Sequence, residues 1–284
     1  MSMYGYAVRK QSLWFIPGSK SPYKLSRTRI DNFLKCQRCF WLEERRGVKK
    51  PDSYPLTLNI AVDALLKKEF DVYRANQTPH PLMKEYGLAA VPFHHDSMEA
   101  WRHNFTGVQY LDPETNLFIF GAVDDIWMTP EKELMVIDYK ATSKATTPTL
   151  DGELGLQYKR QMEVYQWLLR KNGFPVSNTG YFVYVNGKKD VEAFDAKLEF
   201  DITLLPCEGD ANWISPTLKL IKVALESDTI PPPSDNCDYC AYRKAADHAL
   251  SGDTFVAAPA VHAPAVKKET KTKKKKEEQA EKLF

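Results

Sequence analysis

Residues 117–141 read LFIFGAVDDIWMTPEKELMVIDYKA. Two runs rich in β-branched and aromatic residues, LFIFGAVDDIWM and ELMVIDYKA, flank the turn segment TPEK, a pattern that predicts an antiparallel hairpin. Centring the turn on Glu131 places Asp124 opposite Asp138, with Cβ atoms about 5 Å apart. Carboxylates that close repel, so one stays protonated unless a cation stands between them. A divalent ion with oxygen ligands would relieve the repulsion. Lys140, two residues past Asp138, falls on the same strand face. Opposite Lys140 in this register is Ala122, small enough to leave room for a water or a phosphate. A solvated surface hairpin is the alternative. Against it, the acids sit within Phe118-Ile119-Phe120 and Met135-Val136-Ile137, where an unpaired carboxylate is costly.

Working outward, residues 26–46 predict one helix, with Ile30, Phe33, Leu34, Phe40 and Trp41 at helical spacing. Residues 57–74 predict a second, apolar at Ile60, Val62, Leu65, Leu66 and Phe70, followed by a polar, Pro-containing region to Gly87. Beyond the hairpin, residues 157–171 predict a helix ended by Asn172-Gly173 and Pro175. TGYFVYVNG and KLEFDITLL read as strands, and residues 213–227 as a last long helix. Helices and strands around one sheet give an α/β or α+β domain, expected over residues 22–250 after an extension at 1–21. Residues 251–284, rich in Ala, Pro and Lys, read as a disordered basic tail.

The chain has 284 residues, 43% hydrophobic and 27% charged, which suits a soluble globular protein with a sizeable core. No apolar run approaches the roughly 20 residues of a membrane span, and the first residues do not read as a signal peptide. A cytoplasmic location is expected. The net charge of +2 is uneven. Residues 252–284 hold eight lysines against five acids, which leaves the body at −1. Any nucleic-acid binding there needs a local groove rather than an overall basic field.

Of five cysteines, four form two Cys-x-x-Cys pairs: Cys36 with Cys39, and Cys237 with Cys240. Without an export signal that pattern reads as metal or redox chemistry. Two chelating pairs complete a tetrahedral shell. Cys207 reads as a core residue, and the histidines, including His94, His95 and His248, have no motif context.

A G-x-x-D strand (GAVDDI) followed by a D-x-K strand (IDYKA) resembles the PD-(D/E)XK nuclease superfamily, in particular its RecB-like branch. Gln161 and Tyr165 in QMEVYQWLL match the Q-x-x-x-Y signature that follows in that branch, on one helix face at i, i+4. SRTRIDNFLKCQRCFWLE is similar to the branch's opening helix. LNIAVDALL resembles its G-x-x-x-H helix, with Asn59 in place of glycine and Asp63 in place of the metal-binding histidine.

The resemblance implies a restriction-endonuclease-like core, a central mixed β-sheet flanked by helices, and hydrolysis of DNA in repair, recombination or defence. It implies one or two Mg²⁺ or Mn²⁺ ions held by Asp124, Asp138 and the Tyr139 carbonyl, with Asp63 a further hard-oxygen ligand. Lys140 would orient the attacking water, and Gln161 and Tyr165 would support the metal shell. Asp125 stands as a supporting or structural residue. The branch often carries an iron–sulfur cluster on one early and three late cysteines. Here Ala246 occupies the third late position and Cys39 is the candidate replacement, so a [4Fe–4S] cluster and a structural zinc both remain open. A catalytically silent nucleic-acid-binding or scaffold module is the rival reading, favoured by Asp63. In the tail, the lysines would add salt-dependent affinity for nucleic acid. Gln279 with Leu283-Phe284 faintly resembles peptides that dock on the replicative sliding clamp, at a spacing one residue too long.

Overall fold

The computed structural model describes residues 8–51, 54–146 and 148–251. They fall into two units, one ending at Cys240 and one starting at Ala241, each described by itself.

A 3-10 turn at Gln11–Leu13 precedes β1 (Tyr23–Ser26). Two helices follow, α1 (Arg27–Lys35) and α2 (Gln37–Arg46), where the sequence suggested one. The break is Cys36, whose extended backbone (φ −160°, ψ 106°) closes the first helix and opens the second. Ser26, expected inside the helix, ends β1 and stands just before α1. Residues 8–21 pack along α2, where Arg9 Nη1 meets the buried Glu44 at 2.7 Å and Phe15 joins the core.

Helix α3 (Thr57–Asn76) closely matches its predicted span. The region beyond it holds a short helix, α4 (Pro81–Glu85), and a two-residue strand, β2 (Val91–Pro92). Next come α5 (Met98–Arg102), β3 (Val108–Asp112), β4 (Leu117–Gly121), β5 (Asp125–Met128) and β6 (Leu134–Thr142). The large unit continues with α6 (Gly152–Lys171), β7 (Thr179–Gly187), β8 (Phe200–Glu208) and α7 (Ile214–Glu226). Helix α6 starts five residues earlier than the periodicity suggested, and β8 runs three residues later. Helix α8 (Asp238–Ser251) carries the last cysteine pair's Cys240 and has no buried residue.

The strands form two sheets rather than one. A three-stranded sheet has the order β1-β4-β3, with β1 parallel and β3 antiparallel to β4. A five-stranded mixed sheet has the order β2-β5-β6-β7-β8. The predicted continuous strand LFIFGAVDDIWM is therefore split, because the chain leaves one sheet at Gly121 and enters the other at Asp125. The predicted register holds where the ladder exists, from Asp125 opposite Ile137 to Met128 opposite Leu134. β6 and β7 are parallel, joined by α6 as the crossover. α6 buries Met162, Val164, Tyr165, Leu168 and Leu169 in a core shared with both sheets, while Leu66 and Phe70 of α3 pack with Trp127, Ile137 and Tyr139. This is a mixed α/β architecture of the restriction-endonuclease-like kind, two mixed sheets flanked by helices.

Cys207 lies in the core as expected. The basic tail and its clamp-like end fall on residues 252–284, outside the described residues. No helix among the described residues is long and apolar enough to cross a membrane.

Candidate active site

The segment between the sheets shapes the site. A Cβ on Gly121 would lie 2.7 Å from Tyr165 Cε1, so only the absent side chain lets α6 approach this closely. Val123 N donates to the Trp101 carbonyl (3.1 Å) and Arg102 Nε to the Asp124 carbonyl (3.0 Å), which pins the crossing strand to α5. Ala122 lies outside the ladder, so it does not sit opposite Lys140 as predicted; the ladder ends at Asp125. The space beside Lys140 is filled by aromatic rings, with Nζ 4.6 Å from the Tyr158 centroid and 5.9 Å from Phe182.

Asp138 is fully buried in the middle of the five-stranded sheet. Gln161 Nε2 donates to its Oδ1 (2.7 Å) and also to the Tyr165 hydroxyl (3.1 Å). Oδ2 forms an ion pair with the Lys140 ammonium but has no well-aligned hydrogen bond. Burial lifts the Asp138 carboxyl to about 6, with Lys140 opposing the rise and Asp124 adding to it. Burial pulls the Lys140 ammonium down, but Asp138 and Asp124 outweigh it, and the pKa is raised.

Asp124 is partly exposed. Its Oδ2 accepts from the Tyr139 amide (2.9 Å), and its Oδ1 lies 3.3 Å from Lys67 Nζ. The same ammonium lies 2.8 Å from Asp63 Oδ2. Burial and then Asp124 raise the Asp63 carboxyl. The sequence suggested that only a bound cation would make the paired acids tolerable. In the structure two ammonium groups, Lys67 and Lys140, already offset them. A cleft of about 100 Å³ opens here, lined by Asn59, Val62, Asp63, Leu66, Tyr139, Lys140 and Ala141. Asn59, where glycine was expected, donates to the Ala141 carbonyl (2.8 Å) and ties α3 to the end of β6.

The fold thus gathers Asp124, Asp138, Lys140, Gln161 and Tyr165, and brings Asp63 in through Lys67. Sequence reasoning missed Lys67, although its i+4 spacing from Asp63 was visible. It also missed Arg27, the first residue of α1. Arg27 Nε is buried without a hydrogen bond, and the guanidinium has no ion-pair partner among the described residues. Its charge is felt by Asp138 and, as the strongest charge after burial, by Tyr165.

Strand alternation sends Asp125 to the opposite face. There it is fully buried, meets Arg74 Nη2 and Arg102 Nη2 (3.1 Å for the latter), and accepts from the Tyr139 hydroxyl (2.8 Å). Asp71 accepts two hydrogen bonds from Arg102 Nη1, at 2.8 and 2.9 Å, and one from Arg74 Nε at 3.0 Å. Two arginines balance two aspartates, so this layer supports the strand without charging the cleft. No sequence spacing pointed to it, because Asp71, Arg74, Arg102 and Asp125 come from three separate elements.

The four paired cysteines converge. All four Sγ atoms lie within 4.8 Å of one another, with Cys39 at 3.5 Å from Cys237 and 3.6 Å from Cys240, and Cys36 at 3.8 Å from Cys240. Burial raises the Cys36 thiol, but backbone hydrogen bonds at Ser234 and Cys39 outweigh it and bring it to about 7. This donor set suits zinc or an iron–sulfur centre.

The chain belongs to the PD-(D/E)XK nuclease superfamily, whose family profile matches residues 24–245. No curated protein matches the chain. Membership points to a nuclease, and the site's chemistry agrees with the divalent metals such enzymes use. Asp63 lines the cleft, Asp124 and Asp138 lie beside Lys67 and Lys140, and the buried Asp138 Oδ2 lacks an aligned donor, a hard-oxygen set that fits Mg²⁺ or Mn²⁺.

Proposed function

We propose that this protein is a metal-dependent deoxyribonuclease of the RecB-like branch, acting in repair, recombination or defence. The observation that carries the reading is the joined set Asp124, Asp138, Lys140, Gln161 and Tyr165, of which Lys140 lines the cleft. Asp124 and Asp138, with the Tyr139 carbonyl, would hold the ion. When bound, it supplies polarisation of a phosphoryl oxygen and a more acidic water. Lys140, kept charged by its two acid neighbours, orients that water and offsets the negative charge that develops on the phosphorane. Gln161 fixes the Asp138 carboxylate from α6, and the Tyr165 hydroxyl fixes Gln161. Arg27, whose guanidinium has no ion-pair partner among the described residues, supplies a positive charge for a phosphate of the bound strand.

For the cysteine site we infer a single tetrahedral ion such as zinc. Zinc–sulfur bonds of about 2.3 Å put the sulfurs about 3.8 Å apart in a tetrahedron, close to three of the separations here, 3.5, 3.6 and 3.8 Å, with all four sulfurs within 4.8 Å. A four-iron cubane spreads its thiolates much wider.

Incubating the protein with labelled single-stranded and duplex DNA, in Mg²⁺, Mn²⁺ or chelator, tests the reading. Cleavage that needs the ion and disappears in Asp138→Asn supports it. DNA binding without cleavage in either ion would assign the chain to the silent binding module instead.

A further inference from the structure

We propose that Lys67 takes the place of a second metal ion, so that the acid cluster binds one divalent cation rather than two. The inference rests on the nuclease reading of the cluster and concerns how many ions it takes. Lys67 Nζ lies 2.8 Å from Asp63 Oδ2 and 3.3 Å from Asp124 Oδ1, bridging the two carboxylates on the α3 side. A divalent ion shared by Asp63 and Asp124 would have to occupy this bridging position. The ammonium is largely shielded, with its side chain 22% exposed, and it comes from the same helix as Asp63, so it is built into α3 rather than borrowed from a loose surface chain.

Charge counting leads to the same result. Asp63, Asp124 and Asp138 face Lys67 and Lys140, three carboxylates against two ammonium groups, a net charge of −1. One divalent ion brings these five groups to +1, and Arg27 beside them makes +2, a field that suits the phosphates of an incoming strand. Two ions would leave these groups at +3 in a half-buried site, where divalent cations a few ångströms apart repel four times as strongly as single charges. Asp138 and Asp124 remain for the single ion. Oδ2 of Asp138 meets only the Lys140 ammonium and accepts no aligned hydrogen bond, so it keeps a lone pair for the ion.

Calorimetric titration of Mn²⁺ into the full chain at pH 8, with the cysteine site already filled, counts the ions directly. The wild type is expected to bind one, and Asp138→Asn none in the same concentration range. Lys67→Met, of similar shape but uncharged, is expected to bind two. Lys67→Arg, which keeps the charge, is expected to bind one, and thermal melting checks that each variant is folded. Two ions in the wild type overturn the proposal, as does one ion in a folded Lys67→Met. No Mn²⁺ bound by the wild type overturns it together with the nuclease reading, whereas two ions accompanied by DNA cleavage overturn it alone.

Discussion

Replacing Asp138 by Asn is expected to stabilise the metal-free protein at neutral and alkaline pH while destroying cleavage. Burial raises this carboxyl from 3.8 to about 6, even with Lys140 against it. A group whose folded pKa lies above its unfolded value favours the folded state only while protonated. That stability is complete below about pH 4 and is lost as pH rises through about 6. The shift of roughly two units corresponds to about 3 kcal/mol. Asn cannot ionise and keeps the neutral form at every pH. In Mg²⁺-free buffer at pH 8 the variant should therefore melt roughly 6–12 °C above the wild type, and the gap should close towards pH 4. Adding Mg²⁺ at about a hundred times its Kd returns about 2.7 kcal/mol to a protein that binds it only when folded. The wild type should then nearly catch up, and the variant should not move. Thermal melts across pH, with and without Mg²⁺, measure all of this. A variant less stable than wild type at pH 8 without metal, or a gap that does not shrink on acidification, would refute the claim that ionised Asp138 is held at a cost.

Lys140→Met should lower kcat at least a hundredfold while Mn²⁺ still binds, read by cleavage kinetics beside calorimetry; an unchanged kcat removes Lys140 from the chemistry. Arg27→Ala should weaken DNA binding measured by fluorescence anisotropy in chelator and reduce the slope of log affinity against log salt by about one, and an unaltered slope shows that the guanidinium meets no phosphate. Cys39→Ser should release the cysteine-bound metal and lower the melting temperature. Elemental analysis and a visible spectrum of the wild type should show one zinc and no colour, and a brown protein with several irons contradicts the sulfur spacing.

The register of the β5–β6 hairpin was legible because a turn and two apolar runs fix a period-two pattern. Asp138 and Lys140 followed from it, and the helical repeat brought in Gln161 and Tyr165, whereas Asp124, predicted opposite Asp138, lies one residue beyond the ladder and reaches β6 through the Tyr139 amide. The split into two sheets was not legible, since GAVDDI keeps its β-rich composition through the residues that change sheet. The break at Cys36 was hidden for a related reason. Its neighbours continue helical spacing on both sides, and only the gathering of four thiols accounts for the extended residue between them. Lys67 carried a local signal, but its partner Asp124 lies 57 residues away in sequence. Contacts of that range are decided by packing, which spacing alone does not record. The arginine layer beneath Asp125 escaped for the same reason.

Asp124 and Asp125 are adjacent in the chain yet serve opposite faces, one turned to the cleft and the other to a pair of arginines. A strand is a two-sided ribbon, and shifting it by one position trades its sides. Deleting or inserting one residue between Gly121 and Asp125 would carry one acid into the arginine layer and the other into the cleft, misplacing both. The three residues that cross from sheet to sheet thus behave as a spacer of fixed length. Their number sets which acid reaches which face, and Asp124 among them is fixed in identity as well.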